Sequence, residues 1–130
     1  MVDITAALAG GGPAVNELQV ASTSGTDSIR VTDAGGVASN VSIANPIVLV
    51  KTTASATSNG ATWTLNSGSS GYATFGPAPA DAGLVKGVWL YTLANTGNNE
   101  VLVSQPGPAA FAAGLVGTAA QTIWLSLIHI

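Results

Sequence analysis

The stretch that most constrains the fold is Leu84 to Gln105, LVKGVWLYTLANTGNNEVLVSQ. It reads as two apolar strands joined by a polar turn, Asn95-Thr96-Gly97-Asn98-Asn99. Side chains alternate across a strand with a period of two. Val85, Trp89, Tyr91 and Leu93 therefore share one face of the first strand, and Leu84, Val88 and Leu90 share the other. A strand that is apolar on both faces has to be covered twice, inside a sandwich or against a neighbouring subunit.

The rest of the chain repeats the pattern in shorter pieces. Glu17 to Ala21, Ser28 to Thr32, Ala61 to Leu65 and Tyr72 to Phe75 are β-branched or aromatic runs bounded by Gly, Ser, Asn and Asp, which is how strands of a sandwich or barrel read. Ile29 and Val31 are expected inward and Arg30 outward. Val37, Val41 and Ile43 suggest a weaker strand. Ile47-Val48-Leu49-Val50 has the length of a buried strand and is too short for a helix. The two runs around Asn66 to Gly71 are expected to pair as a hairpin. Gly107, Gly114 and Gly117 argue against a long helix in the Ala-rich Pro106 to Ala120, so that stretch reads as a loop anchored by Phe111 and Leu115. Gln121 to Ile130 (QTIWLSLIHI) reads as a last strand, apolar on both faces. The expectation is an all-β chain: an antiparallel β-sandwich or jelly-roll-like barrel of about eight or nine strands. Residues 1–15 are expected to be an N-terminal arm, with one helical turn at Ile4 to Leu8 before Gly10-Gly11-Gly12-Pro13, and residues 16–130 a single β-domain.

Composition narrows the function. At 130 residues, one domain can withdraw roughly two-thirds of its unfolded surface from water. With no cysteine, thiolate metal sites, thiol nucleophiles and disulfides are excluded together. Three Lys and Arg against six Asp and Glu speak against nucleic acid, whose phosphates require several cations. Charged residues make up 7%, far below the usual quarter or so, and Ala, Gly, Ser and Thr supply 64 of the 130 positions. Two readings stay open: a hydroxyl- and amide-rich solvated surface, or a surface largely covered by other protein. The N-terminal MVDITAALAGGGPAV lacks the basic segment and apolar length of a secretory leader. No stretch approaches the roughly 18 apolar residues of a membrane helix, so no membrane partner is expected.

Signatures of catalysis are sparse. His129 has no Asp or Glu at ligand spacing around it, nor a nucleophile to serve as base. No nucleophile elbow, zinc-protease or phosphate-loop motif occurs. Asp27 and Asp33 could share an oxygen-ligated cation, or simply cap turns. Asp81 and Glu100 could be a carboxylate pair of the glycosidase kind. Asn40-Val41-Ser42 fits the glycosylation rule. Trp63, Trp89 and Trp124 lie on three expected strands; rings sharing an exposed face would form a sugar platform with Tyr72 or Tyr91, and otherwise they pack a core. The expectation is no enzyme, no cofactor and no metal site.

Taken together, the chain resembles the small capsid decoration (cement) proteins of phage virions. It shares with them an Ala/Gly/Pro-rich N-terminal arm, a Cys-free acidic composition, a Ser/Thr/Gly-rich surface and an apolar C-terminal strand. The resemblance implies a non-enzymatic protein on the capsid surface, made in the host cytoplasm, that stabilises the shell. Its partners would be the major capsid protein or other virion proteins, and it would be a homo-oligomer such as a trimer. Contact residues would be Val2, Ile4, Leu8, Trp89, Tyr91, Trp124, Ile128 and Ile130. The alternative is a carbohydrate- or receptor-binding module, such as a tail-fibre or adhesin domain, that uses Trp63 and Tyr72.

Overall fold

The computed structural model describes residues 1–75 and 81–107. Among these the chain is all-β, with nine strands in two sheets. One sheet holds β1 (Val2–Ala6), β3 (Thr26–Asp33) and β5 (Thr62–Leu65) in the order β1-β3-β5. The other holds β2 (Gly12–Val20), β4 (Ile47–Thr52), β6 (Tyr72–Phe75), β7 (Asp81–Lys86), β8 (Trp89–Asn95) and β9 (Asn99–Pro106) in the order β2-β4-β9-β8-β7-β6. Residues of both sheets join one sandwich-like core: Ile4, Ile29, Val31 and Leu65 from the first, Leu49, Leu84, Tyr91 and Leu102 from the second.

Neither sheet is purely antiparallel: the three-stranded sheet is all parallel, and the six-stranded sheet is mixed. From β1 to β5 the chain alternates between sheets at every step, so strands two apart in sequence become parallel neighbours: β1 with β3, β3 with β5, and β2 with β4. A parallel pair needs a long crossover, and here the crossover is a strand of the facing sheet instead of a helix. The expected antiparallel pairing holds for β6 to β9, which form a meander, and for β9 with β4.

This alternation corrects the expected arm. Val2–Ala6 is a strand paired with β3, and Ile4, Ala6 and Leu8 are buried. Asp3 and Thr5 alternate with those apolar residues at the strand period, which wins over a helical turn. The expected boundary between residues 15 and 16 falls inside β2, which bulges between Pro13 and Leu18. Among the described residues β1 is an edge of its sheet, and Asn16 pairs with its backbone: Thr5 N donates to Asn16 Oδ1 (2.6 Å) and Asn16 Nδ2 donates to Asp3 O (3.2 Å).

Of three further expectations, one holds and two are revised. Ile47 to Val50 is the buried strand the sequence calls for, with Ile47, Leu49 and Val50 buried. Val37, Val41 and Ile43 belong to a loop over residues 34–46, not a strand. Leu84 to Leu93 is two strands, because Gly87 (φ +58°) lets the chain reverse at Gly87-Val88 and Lys86 pairs with Trp89. That reversal puts Leu84 opposite Tyr91 and Val85 opposite Leu90, so the faces read from one continuous strand are exchanged. Both faces are nonetheless buried at Tyr91 and Leu102 on one side and Leu90 and Val101 on the other.

The hairpin expected around residues 66–71 is absent, since β5 and β6 lie in different sheets. Past the end of β5 the chain stays beside β3, with serines acting as strand surrogates. Val31 N donates to Ser69 Oγ (2.9 Å), Ser70 N to Val31 O (2.8 Å) and Asp33 N to Ser70 Oγ (3.0 Å). The final strand expected at Gln121 to Ile130 and the loop anchors Phe111 and Leu115 lie outside the described residues.

Candidate functional site

Among the described residues, β5 and β6 are edge strands of their respective sheets, and an open cleft of about 740 Å³ lies beside them. Trp63 and Leu65 come from β5, Tyr72 and Phe75 from β6, Asp81 and Ala82 from β7, and Leu93 from β8. Trp63 and Tyr72, the two residues expected for a sugar platform, therefore meet in one cavity. Tyr72 and Phe75 are three apart on an extended strand and point to opposite faces, so the cleft reaches around the β6 edge. None of the three Lys and Arg lines it.

Trp63 is held from behind by a buried polar node centred on Asn59. Asn59 Oδ1 accepts from Trp63 Nε1 (2.9 Å) and from Thr23 Oγ1 (2.6 Å), while its Nδ2 donates to Glu100 Oε1 (3.1 Å). Its backbone is used as well: N donates to Gly97 O (2.9 Å), and Asn95 Nδ2 donates to its carbonyl (2.9 Å). Buried amides are stable only when their donors and acceptors are spent in this way. Glu100 is buried, and that burial pushes its carboxyl up to about 7 despite the opposing bond from Asn59.

The carboxylates do not combine as a catalytic or metal-binding set. The pairing register places Glu100 on the core-facing side of its sheet, with Asn95, Leu93 and Tyr91, whereas Asp81 alternates to the other side from Ala82 and Leu84. Asp27 and Asp33 sit at opposite ends of β3, roughly 20 Å apart at the rise of an extended strand, too far to share a cation. Asp33 is spent locally instead: Leu8 N (3.2 Å) and Gly35 N (2.9 Å) donate to Oδ1, and Lys86 Nζ lies 2.8 Å from Oδ2. Burial alone would raise the Asp33 carboxyl, but Lys86 and the two N–H groups hold it below its ordinary value.

The expected contact residues separate into three groups. Ile4, Leu8 and Tyr91 are sealed in the core and present nothing to a partner. Tyr91 does structural work there: its Oη donates to Leu8 O (2.7 Å) and accepts from Ser39 N (3.2 Å). Val2 and Trp89 are half-buried and pack against the same core. Trp124, Ile128 and Ile130, with His129, lie outside the described residues.

Exposed large apolar side chains lie elsewhere. Val15 (73% exposed) stands within β2 and Met1 at the start of β1, while Val37 (85%), Ile43 (60%) and Val88 (44%) fall where β1, β3 and β7 end and β2, β4 and β8 begin. The loop over residues 34–46 and the Gly87-Val88 turn adjoin there, since a Cβ on Gly87 would lie 3.7 Å from that of Ala38. Val37 and Ile43 were legible as apolar, but the irregular loop that carries them turns Val41 into the core and leaves them outside. Asn59 gave no signal, being one polar residue in a Ser/Thr/Asn-rich loop.

No family model matches the chain, and comparison with curated proteins and with solved structures finds no significant match.

Proposed function

We propose that the chain is a non-enzymatic structural protein of a virus particle, a decoration protein that stabilises the capsid through protein contacts. The observation that carries this reading is the apolar end formed by Val37, Ile43 and Val88 on a chain with so little charge. Side chains of that size cost free energy in water and gain about 1.5–3 kcal/mol each when fully covered. Contacts of this kind are also insensitive to salt, unlike exposed ion pairs, which are screened. On this proposal the sheets form a closed sandwich or jelly-roll-like barrel. The partners are the major capsid protein or other virion proteins, the chain acts as a homo-oligomer such as a trimer, and it sits on the capsid surface.

Co-sedimentation with assembled capsids, with the copies per shell unit counted, tests the proposal. Saturable binding that is lost in the Val37→Asp, Val88→Asp double variant is expected. A chain that stays monomeric on native mass measurement and never sediments with a shell would sink it.

A recognition module, such as a tail-fibre or adhesin domain, is the competing reading. One specific observation favours it: Trp63 and Tyr72 line the same open cleft.

A further inference from the structure

We infer that the Trp63–Tyr72 cleft is a binding site for neutral saccharides, an inference that rests on the recognition reading above and gives it a ligand class. The volume of about 740 Å³ lies within the roughly 300–1,000 Å³ of small-ligand sites. Trp63, Tyr72 and Leu93, which also pack against the core, line its inner side, and Phe75 and Asp81, on the opposite face of the β6–β7 pair, line it beyond the edge. A pyranose offers a flat array of C–H groups on one face and hydroxyl donors around its rim. The first matches aromatic ring faces, and the second matches a carboxylate, which forms stronger, charge-assisted hydrogen bonds than a neutral acceptor.

Preorganisation supports the assignment. The indole N–H of Trp63 is already committed to Asn59, which is itself tied to Glu100 and Thr23. The ring, which also packs against the core, is therefore fixed before ligand arrives, which lowers the ordering cost of binding. Charge decides the class of sugar. Arg30 and Lys86 are paired with Asp3 and Asp33, and Lys51 is not among the lining residues. With a carboxylate and no cation in the cleft, sialylated, sulfated or phosphorylated glycans meet repulsion with nothing to offset it.

The full chain is screened on an array of neutral glucose, galactose, mannose and N-acetylglucosamine oligosaccharides alongside sialylated and sulfated ones. Hits are titrated by calorimetry against wild type, Tyr72→Ala and Asp81→Asn, with folding checked by thermal unfolding. The expected result is a neutral ligand whose binding is abolished in Tyr72→Ala and weakened roughly tenfold in Asp81→Asn, the scale of one charge-assisted hydrogen bond, both variants remaining folded. Selective binding of acidic glycans, abolished in Tyr72→Ala, would overturn the ligand class and keep the recognition reading. Silence across the array would overturn both. Neutral binding unchanged in both variants would move the site away from this cleft and overturn the inference.

Discussion

The two ends of the two-sheet fold are built from similar small polar and apolar residues, yet one is locked and the other open. At the end where β8 turns into β9, Asn59 ties together Thr23, Trp63, Asn95, Gly97 and Glu100, and almost every polar group of the node has a partner. At the opposite end, the loop over residues 34–46 is pinned from below by Tyr91 and by its pairing with β9, where Val41 N donates to Ser104 Oγ (2.6 Å). Its apolar side chains Val37 and Ile43 meanwhile stand in solvent. Polar residues buried with complete partners rigidify, because each lost partner leaves a desolvated group. Apolar residues left outside add nothing to the stability of the free chain and are available for contact.

The largest effect is expected at the locked end. Asn59→Ala leaves the Trp63 N–H, the Thr23 hydroxyl and the Glu100 carboxylate without their shared partner, a loss of roughly 3–5 kcal/mol at a few kcal/mol per buried orphan. Chemical denaturation measures it, and a loss under 1 kcal/mol would mean that the node does not lock that end.

Glu100 gives the same end a pH dependence. Its carboxyl is raised from 4.5 to about 7 in the folded chain by burial, so the folded state holds a proton that the unfolded state releases. Stability is then greatest below about pH 4.5 and falls as pH rises through 7, by roughly 3 kcal/mol in all. Glu100→Gln should flatten that window and raise stability at pH 8 while changing little at pH 4. Thermal unfolding from pH 4 to 8 would contradict this if wild type and variant ran parallel.

A smaller effect separates the ends further. Tyr91→Phe keeps the core ring but strands the buried Leu8 carbonyl, at a cost of about 1–3 kcal/mol. Hydrogen exchange should then rise first in the loop over residues 34–46 rather than around Asn59. The smallest effect sharpens the contrast most: Val37→Ser and Val88→Ser should change unfolding free energy by less than about 0.5 kcal/mol, as exposed sites do. A loss of 2 kcal/mol by denaturant titration would show that the open end is part of the folding core.

Sequence alone determined the class of local structure. Period-two alternation in Ser28 to Thr32, the run Ile47 to Val50 and the absence of a helical pattern fix an all-β chain, because alternation is a property of neighbouring residues. It also brought Trp63 and Tyr72 forward as candidates, though not their meeting. Tertiary structure decided which strands pair and in what direction, since parallel partners such as Ile4 and Val31 are separated by a whole crossing of the core. It decided too that Ile4, Leu8 and Tyr91 face inward, that Gly87 exchanges the faces of the strands beside it, and that one loop asparagine becomes the centre of a buried node. These are long-range contacts, and no local pattern encodes the identity of a residue's distant partner.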